Sequence, residues 1–287
     1  LSSQWLFPLA TMAIFTSIFV GVKVVGWFIA IFVIGIVGSL PAIFVKEDSV
    51  EIQKRSTNNF SLMDNIKAII HVPLIRLVFI IIFIQVGLAA YAAKMDYYVL
   101  VYYMFDGNIS DGAVWKGVLS MGYAITAAIY IPIVSWLSSH FGKIKTLKLI
   151  FMMTAIGGMG KWFIYSKGVT WLLLLDPIFC SAVWTSMTII IPAIVADASD
   201  FDREKTKVCR AGGFAALHHW IVAFSIMFAL LVSGITLNVI GFDANLGSEQ
   251  SSHSLELMKL ILTFGTIIPS IFAVYILTNH QKKHPSL

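Results

Sequence analysis

Residues 117–148 read GVLSMGYAITAAIYIPIVSWLSSHFGKIKTLK. Positions 117–142 carry no Lys, Arg, Asp or Glu, and then Lys143, Lys145 and Lys148 follow within six positions. A helix needs about 20 apolar residues to cross a hydrocarbon core of roughly 30 Å. The run has that length and lacks the strict alternation of a barrel strand. Outward from it the pattern repeats, predicting spans at 5–22, 25–45, 72–104, 115–139, 147–166, 170–198, 211–240 and 258–279.

Positive charge collects in every second connector. Lys46, Lys54, Arg55 and Lys67 lie in 46–67, and Arg203, Lys205, Lys207 and Arg210 follow the sixth span. Lys282 and Lys283 lie in the tail. The connectors between them hold Asp106 and Asp111, or Asp243, Glu249 and Glu256, without Lys or Arg. Lys23 and Lys167 sit singly in the other two. By the positive-inside rule the basic connectors and both chain ends face the cytoplasm, and eight spans satisfy that parity.

Composition sets the class. Of 287 residues, 58% are hydrophobic and 12% charged, against about 25% charged in soluble domains. Backbone polar groups in hydrocarbon must be satisfied internally, so the reading is an all-α, polytopic helical membrane protein of the inner or plasma membrane. The net charge of +5 sits beside spans, so anionic lipid headgroups are its expected partners and nucleic acid is not. Cys180 and Cys209 show no metal or redox spacing. No zinc-protease helix, nucleophile elbow or phosphate loop is present, so no enzyme, metal site or cofactor is expected beyond a coupling ion. The opening Leu1-Ser2-Ser3 lacks a basic n-region and reads as a segment of a longer protein. The longest polar break, 46–71, reads as a hinge between two spans (1–45) and six (72–287). Asn108-Ile109-Ser110 forms a sequon on the expected outer side.

The stretch Pro192-Ala193-Ile194-Val195-Ala196-Asp197-Ala198-Ser199-Asp200-Phe201-Asp202 resembles the signature of the glycoside–pentoside–hexuronide:cation symporters, the melibiose-carrier group of the major facilitator superfamily. Ser138-Ser139-His140-Phe141-Gly142-Lys143-Ile144-Lys145 resembles that superfamily's Gly-basic gating turn, and Tyr97-Tyr98 with Tyr102-Tyr103 suits the group's seventh helix. The resemblance implies helices five to twelve: two of the N-terminal bundle, 46–71 as the central cytoplasmic loop, and one C-terminal six-helix bundle. It also implies that earlier helices are missing, to be supplied by a longer chain or a larger assembly. The group has Glu at the position of Arg203, Gly at Lys207, Arg at Cys209, an acid at Ala211 and a lysine at Ala223, and Arg210 substitutes for the displaced arginine.

The implied activity is secondary transport of a small polar solute, a sugar or glycoside, coupled to Na⁺ or H⁺. A degenerate scaffold subunit and a lipid or lysolipid transporter are the rival readings. On the expected substrate pathway, Gln85 and Asp96 lie eleven residues apart, on one helical face with Ala89, Ala92 and Tyr103 and opposite Lys94. Asp96 and Lys94 read either as pathway residues or as headgroup-level charges. Ser181, Trp184, Thr185, Thr188 and Pro192 form one stripe that lines a pathway or packs helices. His218 either titrates or packs, and Asp176-Pro177 reads as a helix break or cap rather than a proton site. Gly142, Lys143, Asp197, Asp200 and Arg210 are read as a cytoplasmic gate, with Asp197 and Asp200 latched to the basic residues that follow or simply solvated.

Overall fold

The computed structural model describes residues 62–283, together with Trp27 and Ile31. The chain divides into two compact units, Leu1–Asn65 and Ile66–Leu287, and six long helices lie in the second. A short helix α1 (Leu62–Ile70) precedes them. They are α2 (Pro73–Met104), α3 (Ile109–Phe141), α4 (Lys143–Ile164), α5 (Thr170–Thr206), α6 (Ala211–Val239) and α7 (Ser252–Lys283), each long and apolar enough to cross a membrane. The expected spans at 5–22 and 25–45 lie outside the described residues.

Local chemistry explains where each helix starts and stops. Pro73 opens α2, where its missing N–H would have had no intrahelical partner. Asn108 caps α3: its side chain accepts from the Asp111 amide at 3.2 Å and donates to the Asp111 carboxylate at 2.7 Å. Gly142 separates α3 from α4 at φ 85°, ψ 153°, a conformation open to glycine. Lys207 ends α5 in the left-handed region at φ 60°, ψ 12°. Helices commonly close with glycine there, which gives a physical reason for the glycine of the resembled family at this position.

The helices overrun the spans predicted from hydropathy. α5 has 37 residues, about 55 Å of helix against a core of roughly 30 Å. Residues 199–206, expected as connector, are therefore helical, as are 252–257 before the last span.

α4 and α5 form the packed centre of the bundle. A Cβ added at Gly157 would lie 2.5 Å from Phe179 Cβ of α5, and one at Gly158 would lie 2.8 Å from Ile267 Cγ1 of α7. Only hydrogen at these positions lets the three backbones approach so closely. One apolar cluster surrounds Ile81, Phe151, Ile190 and Phe214, and a second surrounds Met95, Leu119, Tyr165 and Met258. α3 and α6 instead display exposed apolar side chains, among them Ile125, Ile129 and Trp136, and Phe224, Met227 and Leu231. An exterior of this kind suits hydrocarbon rather than water.

α2 departs from regular geometry. It contains two π-helical segments, Phe83–Ala89 and Val99–Met104, each holding more residues per turn than an α-helix.

Candidate functional site

A cavity of about 30 Å³ lies inside the bundle, lined by Gln85 of α2, Tyr123 of α3, Thr154 and Lys161 of α4, Trp184 of α5 and Thr266 of α7. Thr154 is the twelfth of the 22 residues of α4, so the cavity sits at mid-depth. The volume admits one water or one hydroxyl-sized group. Gln85 is buried within the first π-helical segment, and its Oε1 has no hydrogen-bond partner among the described residues.

A buried ionic network adjoins the cavity. Lys161 Nζ lies 2.5 Å from Asp176 Oδ1, and their side chains are 5% and 1% exposed. Asp176 Oδ2 also accepts from the Tyr123 hydroxyl at 2.9 Å and the Tyr165 hydroxyl at 3.2 Å. The carboxylate therefore has three donors, drawn from two neighbouring helices. Removing charge from water costs several kcal/mol per ion, and close pairing with further hydrogen bonds is what offsets that cost. The network ties α3, α4 and α5 together. Asp176 thus forms an interhelical ion pair, where the sequence suggested a helix break or cap.

A family model described as MFS/sugar transport protein matches residues 3–279. The chain belongs to this family of the major facilitator superfamily. No curated protein and no solved structure gives a match to the chain. Membership, with six helices capable of spanning a bilayer, makes this an integral membrane protein and a secondary transporter in type.

In this facilitator bundle the expected pathway residues separate into four groups. Gln85 and Trp184 line the cavity, and Ser181 and Thr185 are buried beside it. Ser181 Oγ donates to the Tyr123 carbonyl at 3.3 Å, and Thr185 Oγ1 donates to the Ser181 carbonyl at 3.2 Å. Asp96 and Tyr103 lie elsewhere. Asp96 pairs with Lys116 of α3. Tyr103 faces two ammonium groups, Lys259 at 4.7 Å and Lys167 at 5.7 Å from its ring centroid. Thr188 and Pro192 are exposed, and Lys94 is exposed on α2. His218 is half-buried with its ring 5.2 Å from His219, and it does not line the cavity.

The expected gate residues gather at one end of the bundle with different partners. Gly142 places Lys143 at the start of α4, where Nζ meets Asp197 Oδ2 at 2.5 Å and the Ala193 carbonyl at 3.2 Å. The partner of Asp197 is therefore Lys143, 54 residues away, and not the basic run after it. Arg210 pairs with Asp202, at 2.9 and 3.2 Å to its two oxygens. Asp200 borders an open groove with Arg203, Glu204 and Lys207.

The sequence reading passed over Lys161, Tyr123, Tyr165 and Lys259. Lys161 carried a usable signal, being the single charged residue between Lys148 and Lys167. Lys259 is buried, with Nζ 4.8 Å from the Trp162 ring centroid as well as against Tyr103. Among the described residues no group of three or more His, Cys, Asp or Glu side chains gathers as a metal site.

Proposed function

We propose that the chain serves alternating-access transport of a small polar solute, a sugar or glycoside, by symport with Na⁺ or H⁺, as a melibiose-carrier-like member of its family. The observation that carries the reading is the mid-depth cavity with an unpartnered buried amide oxygen, because solute sites in such folds lie near the bilayer midplane between helices. Trp184 adds an apolar ring of the kind that stacks against a sugar face. In this reading residues 1–45 supply two helices of the other bundle, 46–71 form the central cytoplasmic loop, and 72–287 form the C-terminal bundle. Lys143–Asp197 and Arg210–Asp202 then close the cytoplasmic side of a carrier in the cell membrane, with the C-terminus inside.

The test is counterflow of labelled sugars in proteoliposomes holding the full reading frame, with Na⁺ or H⁺ gradients imposed separately. Saturable uptake of a neutral sugar supports the proposal, and its dependence on one gradient identifies the ion. Stable insertion with no uptake across the panel refutes it and favours the scaffold reading, which draws on the altered positions Arg203, Cys209 and Ala223.

A further inference from the structure

We infer that Gln85 is the solute-reading side chain of this cavity, and that the group it reads is a hydroxyl of an uncharged solute. The inference rests on the transport reading above and narrows it to a residue and a charge class.

Several hydrogen-bonding groups around the cavity are already committed within the bundle. The Tyr123 hydroxyl donates to Asp176. Thr154 Oγ1 donates to the Ile150 carbonyl at 2.9 Å, and Thr266 Oγ1 donates to the Leu262 carbonyl at 2.8 Å. Lys161 is engaged by Asp176. Gln85 Oε1 differs, because this buried oxygen has no hydrogen-bond partner among the described residues and the residue is only 2% exposed. Buried polar atoms are nearly always satisfied, so an exception at a cavity wall calls for a guest. A carboxamide offers both donors and acceptor sites, and a hydroxyl can use either.

Charge narrows the guest further. The ammonium of Lys161 is neutralised by Asp176 at 2.5 Å, and Asp96, the next acid along α2, is neutralised by Lys116. The wall therefore presents no uncompensated charge, and an ionised guest would be desolvated with nothing to pair it. A neutral hydroxyl matches both the capacity of Gln85 and a volume of about 30 Å³.

The experiment uses the full protein in proteoliposomes and the best neutral sugar found by counterflow. Singly deoxygenated analogues, the matching uronate and the matching amino sugar are then run as competitors. One deoxy position is expected to weaken competition roughly ten-fold or more, as the loss of one buried hydrogen bond implies. Gln85→Leu should weaken the parent sugar by a similar factor and abolish its advantage over that one analogue. Because Gln85→Leu adds an apolar group beside the ion pair, Gln85→Asn and the deoxy scan on the unaltered protein carry the test if it misfolds. Gln85→Leu or Gln85→Asn keeping both the unaltered affinity for the parent sugar and its preference over the deoxy analogue overturns the inference, as does a uronate or amino sugar competing as well as the neutral parent. These results leave transport standing. No uptake of any neutral sugar defeats the transport reading and the inference together.

Discussion

Breaking the Lys161–Asp176 pair should expose how the bundle holds charge in its interior. In Asp176→Leu the Lys161 ammonium stays buried without its carboxylate, and the Tyr123 and Tyr165 hydroxyls lose their acceptor. Leaving one partner of a buried pair uncompensated costs about 3–5 kcal/mol. Lys161→Met should cost less, because Asp176 keeps two tyrosine donors at 2.9 and 3.2 Å. The double variant removes both charges and leaves only two neutral hydroxyls to satisfy, a loss of about 1–2 kcal/mol. The single effects should thus exceed the double by about 2 kcal/mol or more, a non-additivity expected of direct partners. Thermal unfolding of purified protein in detergent can be followed with a thiol-reactive dye. Cys180 is buried and reports unfolding, and Cys209 is exposed and is removed as Cys209→Ala. At 2–4 °C per kcal/mol, Asp176→Leu should melt roughly 10 °C lower, with the double variant much nearer the parent. A double variant as unstable as Asp176→Leu, or a single variant without effect, would refute the assignment of a mutually neutralising buried pair.

The same assay tests three further expectations. Lys207→Gly should raise stability by about 0.5–1 kcal/mol, because the native φ of 60° penalises any residue with a Cβ, whereas Lys207→Ala should bring no such gain. Lys143→Gln should cost at most about 1 kcal/mol, since its pair with Asp197 is 32% and 55% exposed, whereas Arg210→Gln removes two bonds to a carboxylate only 9% exposed and should cost more. The reverse order would show that burial does not set the strength of these pairs. Lys259→Met should raise the melting temperature: among the described residues no carboxylate pairs with this ammonium, and two aromatic faces with one long hydrogen bond to the Tyr103 hydroxyl, at 3.4 Å, offset its burial only in part. A drop in melting temperature would mean that the aromatic contacts outweigh desolvation.

The membrane class was legible because charge is expensive in hydrocarbon, so the uncharged runs and the basic connectors mark the helices directly. Helix ends were less legible. Hydropathy reports where lipid stops, whereas backbone hydrogen bonding carries α5 on through Asp200 and Arg203 to Thr206. The pairing of Lys161 with Asp176 could not be read from spacing. It depends on α4 and α5 approaching closely at Gly157: the Gly157-Gly158 pair marks a close helix contact in the sequence, but not which helix meets it. Lys143–Asp197 was equally hidden, joining two segments that are distant in sequence.

Asp96 and Gln85 face different surroundings for a geometric reason within one helix. At the α-helical repeat, positions 85, 89, 92, 96 and 103 share a face. The π-helical segment Phe83–Ala89 adds residues to its turn and so delays every later side chain around the axis. The cavity consequently takes Ala89 and then Ala93, while Ala92 turns toward α7, where Gly265 leaves no room for a Cβ. Asp96 is carried off the cavity face in the same way and meets Lys116 of α3 instead. The slip that carries an acid off that face leaves Gln85, a neutral amide, on the cavity wall, so one backbone irregularity accounts both for the position of Asp96 and for the charge balance of the wall.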